Sequence, residues 1–334
     1  MGNLIDFFSG AGGFSNGFIE AGFIPVKAYD NNKHAVDSYK HNIGDHVEQR
    51  DVLTIEAEEL PSAPVWTFGF PCQDLSNCGR KQEGLINGKR SSMFFEIMRL
   101  LREIDADKKP LFILAENVND LKPYLGIVEE EYERAGYKMF YTLYNSAFWG
   151  VPQNRERYFV VGVRSDFNID FQFPEQPNLR TVKIGDILED NVEDHYFFTE
   201  EKRLRILEQV KLGKVSQSKG IICINPRKVD GSQTYQQDRV YRTDGIMAAL
   251  TAQLSGRLNI VVDEEKAIYR KLSAREWARM QAFPDSYDMV VSEAQFIKQM
   301  GNAVTVLPVV AIAKEMMKAL KRFQEETEEK RIII

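Results

Sequence analysis

Short apolar runs alternate with stretches of helical spacing over the first 160 or so residues, and this alternation limits the fold more than any other feature of the chain. Residues 3–8 read as a buried strand, followed by the tight turn Ser9-Gly10-Ala11-Gly12-Gly13 and a helical stretch at 14–22. Further strands are expected at 24–29, 47–52, 65–69, 111–115, 139–145 and 157–163, with helices at 33–41, 92–104 and 128–135. Strands that alternate with helices in this way form βαβ units, so the expected fold is α/β with a Rossmann-like, mostly parallel sheet covered on both faces. The pattern stops after Arg164. Residues 165–270 are irregular apart from one helical stretch at 199–212, and read as a smaller second domain. Helices at 273–282 and 306–323 would return the chain to the first domain (271–323), leaving 324–334 as a charged tail.

Composition narrows the class. Hydrophobic residues make up 43% of the 334 and charged residues 28%, as in ordinary globular domains. The richest apolar stretch, 304–313, is shorter than the roughly 18–20 residues of a membrane span and contains Pro308. The first residues lack the basic start and apolar core of a secretory signal. Three cysteines make no disulfide framework, and four scattered histidines suggest no metal site. A cytoplasmic protein is expected.

The net charge of -6 argues, as an average, against a polyanionic partner. The average hides a polarised chain. Residues 201–260 carry eleven Lys/Arg against five Asp/Glu, a local +6, which leaves -12 for the remainder. Such asymmetry fits a segment that faces nucleic acid as well as it fits a solvated basic face.

In open α/β sheets, ligands bind beyond the carboxyl ends of the strands. Four features fall there: the glycine turn, Asp30, Cys72 and Glu116. The turn lets a ligand approach the backbone without Cβ interference, but it is neither Gly-x-Gly-x-x-Gly nor a Gly-Lys-Ser/Thr phosphate loop. Asp30 is placed to accept from ribose hydroxyls. Cys72, at a strand-to-helix turn, can be helped towards thiolate and is a candidate nucleophile. Cys78 and Cys223 read as ordinary buried thiols. Glu116 ends an apolar strand, a setting that suits a general acid. Arg155 and Arg157 share one face of an extended segment.

The ordered set Asp6-Phe7-Phe8-Ser9-Gly10-Ala11-Gly12-Gly13, Gly69-Phe70-Pro71-Cys72-Gln73, Glu116-Asn117-Val118, Gln153-x-Arg155-x-Arg157, Arg275-Glu276-x-Ala278-Arg279-x-Gln281-x-Phe283-Pro284 and Gly301-Asn302-Ala303-Val304 resembles the cytosine-C5 DNA methyltransferases of bacterial restriction–modification systems. The resemblance spans nearly the whole chain, and the gap at 165–270 falls where that family places its target-recognition domain. It implies S-adenosyl-L-methionine as cofactor, double-stranded DNA as partner, and a catalytic set of Cys72, Glu116, Arg155 and Arg157. Cys72 would attack C6 of a flipped-out cytosine, Glu116 would hold or protonate N3, and Arg157 would bind the O2 side.

The same resemblance implies a cofactor site of Phe8, Ser9, Gly10, Ala11, Gly12, Gly13, Asp30, Asn31, Asp51, Val52, Pro71, Asn302, Ala303 and Val304. Two positions depart from the family, which usually has glutamate at Asp30 and often an aromatic residue at Asn31. The lost aromatic face would weaken adenine stacking by roughly 0.5–1.5 kcal/mol. For DNA, the expected contacts are Ser76, Arg80, Lys81, Lys89 and Arg90 in a catalytic loop at 76–92, together with Gln153, Arg227, Arg239, Arg242, Thr251 and Arg257. Arginine reading guanine O6 and N7 is the commonest specific base contact, and Arg239 and Arg257 are the leading candidates for it. Two other functions stay open on the sequence: a tRNA cytosine-C5 methyltransferase, and an inactive DNA-binding homologue. The presence of Cys72, Glu116, Arg155 and Arg157 gives inactivity no support. A cognate endonuclease and a monomer on DNA accompany the DNA reading.

Overall fold

A computed structural model describes residues 2–70, 92–212, 215–252 and 258–332. The strands are β1 (Asn3–Phe7), β2 (Ile24–Asp30), β3 (Val47–Gln49), β4 (Val65–Gly69), β5 (Phe112–Val118), β6 (Tyr137–Asn145) and β7 (Gln153–Asn154). They continue with β8 (Glu156–Arg164), β9 (Ser216–Ser218), β10 (Ile221–Cys223), β11 (Val240–Arg242), β12 (Met247–Ala248), β13 (Asn259–Asp263) and β14 (Ile268–Lys271). The α-helices are α1 (Gly13–Glu20), α2 (Lys33–Asn42), α3 (Ser92–Glu103) and α4 (Leu125–Arg134). After them come α5 (Glu200–Lys211), α6 (Ala274–Met280), α7 (Glu293–Asn302) and α8 (Val306–Ile332). None of the helices among the described residues is long and apolar enough to cross a membrane.

The chain divides into two compact units. One comprises Met1–Tyr144, Glu156–Glu175 and Val306–Ile334; the other comprises Asn145–Arg155 and Gln176–Thr305. The first is built on a seven-stranded sheet in the order β3-β2-β1-β4-β5-β8-β6, parallel from β3 to β5, with β8 antiparallel to β5. The expected α/β class is therefore observed. The central strands are apolar on both faces because helices cover both sides. Trp66, Phe68, Phe94, Ile97, Leu101, Ile113 and Tyr132 are buried together in the core of this unit. From β1 the order runs one way to β2 and β3 and the other way to β4 and β5, so a topological switch point lies beside β1.

Several expectations shift in detail. Strand β5 runs on to Val118, so Glu116 lies inside the strand instead of ending it. The third strand stops at Gln49, and Asp51 instead caps a short 3-10 turn by accepting from Leu53 N at 3.1 Å. The acidic end of the chain is no separate tail: α8 extends through it to Ile332.

The second unit is more regular than its sequence suggests. It holds a five-stranded sheet, β14-β13-β11-β10-β9, over a small core of Ile206, Ile224, Val240, Val261 and Tyr269. Residues 271–305, expected to rejoin the first domain, pack in this unit, and the return begins at Val306. The reason is a buried polar framework. Arg270 and Glu276 form a two-bonded ion pair at 2.7 Å, 3% and 0% exposed. Glu276 also accepts from Ser273 N, completing a capping box for α6, and from Glu189 N. Removing one partner leaves the other charge buried and uncompensated, at a cost of about 3–5 kcal/mol. Glu276→Ala is therefore expected to destabilise the fold by about that amount in chemical denaturation; a loss below about 1 kcal/mol, the range of an exposed pair, would contradict this account.

Candidate active site

In the first unit, β1 delivers its carboxyl end into a backbone turn of unusual conformation. Phe8 holds φ at 52°, a left-handed value that a residue with a Cβ rarely adopts, and Gly10 and Gly12 follow at 54° and 77°. Gly12 has no room for a side chain, because a Cβ there would meet Ile43 Cδ1 at 2.0 Å and Tyr39 Cδ2 at 3.1 Å. Gly10 is open, with only Phe8 O within 4 Å of such an atom. The turn's amides are largely used internally: Ser9 N donates to Tyr29 O, Gly10 N to Asp30 Oδ2 at 2.9 Å, and Gly12 N to Ser9 O.

Asp30 thus braces the turn as well as flanking it. Its other oxygen accepts from Asn32 N at 2.8 Å, and burial pushes its carboxyl above the ordinary range. A carboxylate has about four acceptor positions, so two bound amides leave room for ribose hydroxyls. Ser9 is buried, and its Oγ finds no hydrogen-bond partner among the described residues. Ala11 and Gly13 are also buried, Asn31 and Asp51 are exposed, and Val52 is buried beneath them.

Glu116 and Arg157 come together. Adjacent in the sheet, β5 and β8 place Arg157 Nε 3.1 Å from Glu116 Oε1, with both side chains mostly buried. Arg157 also donates from Nη1 to the carbonyl of Glu156 at 2.7 Å. In register, Glu116 lies opposite Gly69, three residues before Cys72 in the chain. Asn117 Nδ2 donates to Phe70 O at 3.2 Å, tying the end of β5 to the approach to Cys72. Asn117 was not among the expected site residues, although it sits in the Glu116-Asn117-Val118 motif. Pro71, Cys72, Ser76, Cys78, Arg80, Lys81, Lys89, Arg90 and Arg257 lie outside the described residues.

In the second unit, two expectations need correction. Gln153, expected on DNA, is fully buried: its amide donates to Met280 O and, at 3.0 Å, to Gln281 Oε1, while its carbonyl oxygen accepts from Leu250 N. It is a packing residue. Arg155, expected in the catalytic set, is 3% exposed and donates to the carbonyls of Leu250 at 3.1 Å and Ala303 at 3.0 Å. Its guanidinium fastens the Gly301–Val304 segment to the strand region of Leu250. Gln281, missed as a site residue, joins the same network by donating to Met300 O and Ala303 O and accepting from Thr305 Oγ1. Gly301 closes it: a Cβ there would strike Thr251 O at 2.5 Å. Asn302 is exposed, Ala303 half-buried and Val304 buried.

The basic segment forms a cleft of about 680 Å³, lined among others by Ser216, Ser218, Arg227, Gln233, Arg239 and Tyr241. Arg239 donates from Nε to Thr234 O and lies against Tyr241, and exposed Arg227 donates to Gly231 O. Arg242, expected to meet DNA, is exposed at its side chain and forms a two-bonded pair with Asp244 at 2.8–3.0 Å. Cys223 is buried, and burial raises its thiol above the ordinary value, as an inert core cysteine requires.

Comparison with known proteins places the chain in a family. The family model for C-5 cytosine-specific DNA methylase matches residues 2–318. The Type II methyltransferase M.NlaX of Neisseria lactamica is 32% identical over 328 residues, covering 96% of this chain and 97% of its own. M.HhaI of Haemophilus parahaemolyticus, also a Type II methyltransferase, is 30% identical over 322 residues, covering 91% and 90%. In fold, the chain matches the crystal structure of S. pombe Dnmt2 methyltransferase with a TM-score of 0.74 at 19% identity, over 96% of this chain and 99% of that one. The chain therefore belongs to the C-5 cytosine-specific DNA methylase family, as a DNA (cytosine-5-)-methyltransferase that uses S-adenosyl-L-methionine.

Proposed function

We infer that the protein methylates a cytosine flipped out of a specific DNA sequence, through a covalent bond between Cys72 and C6. The observation that carries the reading is the buried Glu116–Arg157 pair, 3.1 Å apart and level with the strand end that leads to Cys72. A stacked base is out of reach of such a site, so extrusion at a cost of a few kcal/mol is required.

The cytosine C5 carbon is too weak a nucleophile to take a methyl group unaided. A Cys72–C6 bond pushes the ring electrons towards C5 and N3. Glu116 holds or protonates N3 while Arg157 binds the O2 side, so both act on charge that grows only along the reaction. S-adenosylmethionine supplies an electrophilic methyl group to C5 when bound. Loss of the C5 proton then lets the C6–sulfur bond break and regenerates the thiolate.

The donor fits the first unit. Ser9 offers a buried hydroxyl whose partner is missing from the described residues, Gly10 leaves open space, and Asp30 keeps acceptor positions for a ribose. Phe8, at the mouth of the turn, and exposed Asp51 would meet the adenine. In the second unit, the cleft with Arg239 and Arg227 supports base reading, and the Type II relatives favour DNA over tRNA. This reading extends to action on nucleoid DNA by a monomer, alongside an endonuclease for the same site.

DNA carrying 5-fluorocytosine at the target is expected to trap a denaturation-stable protein–DNA adduct, because C5 then has no removable proton. Cys72→Ser should form none and should lose methyl transfer while still binding the donor. Turnover on ordinary DNA without an adduct would refute the covalent step. Arg239→Ala should relax sequence choice by about 1–3 kcal/mol at one base pair, read by bisulfite sequencing of plasmid from expressing cells; an unchanged methylation pattern would remove Arg239 from recognition.

A further inference from the structure

Behind the glycine turn lies a line of polar side chains that the methyl-transfer chemistry does not use. Asp6, fully buried in the middle of β1, accepts from Thr67 Oγ1 at 2.8 Å and from Ser15 Oγ at 2.7 Å, one on each carboxyl oxygen. Ser15 Oγ lies 2.7 Å from Tyr39 Oη, and Tyr39 Oη lies 3.0 Å from Nε2 of half-buried His46. The line runs from the core of the sheet through α1 and α2 towards solvent.

Each hydroxyl carries one proton, so the direction of donation along the line is fixed by its ends. With Asp6 ionised, Ser15 donates to it, Tyr39 donates to Ser15, and His46 donates from Nε2 to Tyr39. With Asp6 protonated on Oδ2, each of those bonds reverses, and Nε2 becomes an acceptor with the ring proton on Nδ1. A proton taken up from solvent at Nδ1 can convert the first state into the second. The His46 Nε2–H bond breaks as a Tyr39 O–H bond forms, Tyr39 gives its original hydrogen to Ser15, and Ser15 gives its own to Asp6. Both ends finish neutral.

The surroundings favour that outcome. Burial raises the Asp6 carboxyl to about 7, and the facing carboxylate of Asp30 on β2 adds to the rise. Burial lowers the His46 imidazole, with Lys27 lowering it further and Asp45 opposing. The hydroxyls that meet Asp6 come from α1 (Ser15) and β4 (Thr67).

The same side chains grip the turn. The Tyr39 ring packs on Gly12, and Ser15 lies in the first turn of α1, which Gly12 caps. We propose that Asp6, Ser15, Tyr39 and His46 are positioning residues that clasp the donor-binding turn through a proton-conducting line, so that affinity for the methyl donor follows the protonation of this line. The inference rests on the reading of this turn as the donor site.

The line itself is tested without ligand. Nitrogen-15 NMR of the ligand-free protein, which has four histidines to assign, should show His46 as the neutral Nε2–H tautomer above pH 7. It should pass to the neutral Nδ1–H tautomer as pH falls through about 7. In Tyr39→Phe, which removes only the hydroxyl, His46 should charge directly to imidazolium with no tautomer change. A wild-type His46 that keeps one tautomer until it charges, or a tautomer change that survives in Tyr39→Phe, would overturn the proposal.

Calorimetric titration with S-adenosylhomocysteine tests the clasp. Wild-type affinity should change several-fold between pH 6 and 8 with an inflection near the tautomer midpoint. That inflection should move to lower pH in Tyr39→Phe and vanish in Asp6→Asn. Identical pH profiles for wild type and Tyr39→Phe would overturn the clasp. Failure to bind at any pH, beside an intact tautomer change, would instead count against the turn as donor site.

Discussion

A parallel sheet whose order reverses at one strand must leave an opening beyond that strand, because the connections on its two sides leave towards opposite faces. Here the strand is β1, and the proposed donor site and catalytic set both rest on that opening. The glycine turn leaves β1 directly, Asp30 ends the neighbour on one side, and the chain leading to Cys72 ends the neighbour on the other. Glu116 is one strand further along, level with Gly69. Strand order alone thus gathers the glycine turn, Asp30 and Glu116 on one sheet, although Asp6 and Glu116 lie 110 positions apart in the sequence.

Polar groups then fix the positions that strand order leaves loose. Asp30 holds Gly10, Asn117 holds the Phe70 carbonyl, and Arg157 holds Glu116. In the second unit, Arg155, Gln153 and Gln281 do the same for the backbone around Gly301–Thr305. Asn117, Arg155, Gln153 and Gln281 are buried, so each unmade bond there would leave a desolvated group at a cost of about 1–3 kcal/mol. Asn117, Arg155, Gln153 and Gln281 hold backbone in place through these bonds.

This also decides what could be read from the sequence. The central strands β1, β4 and β5 were legible because burial on both faces turns them into apolar runs. The second unit's sheet was not: β9, β10 and β11 are three residues each, too short to show a period of two. Helix α7 also went unread, and α8 was cut short by the acidic composition of its end. The placement of the glycine turn, Asp30, Glu116 and Arg157 on strands of one sheet was legible from motif and strand position. Gln153 was misread because a glutamine looks like a surface contact until its partners, 127 and 128 residues away, are seen. The pairing of Arg242 with Asp244, two residues on, was not legible, because nothing in a count of basic residues separates a paired arginine from an available one. The role of Asp6 is invisible in its motif, since its hydroxyl partners lie 9 and 61 residues away.

The central claim is that the turn after β1 holds the methyl donor. A crystal structure with S-adenosylhomocysteine bound tests it most directly. The account predicts ligand density along residues 8–13, with Ser9 Oγ gaining a partner and Asp30 accepting from the ribose. Density elsewhere, or a Ser9 hydroxyl still without a partner beside bound ligand, would contradict it.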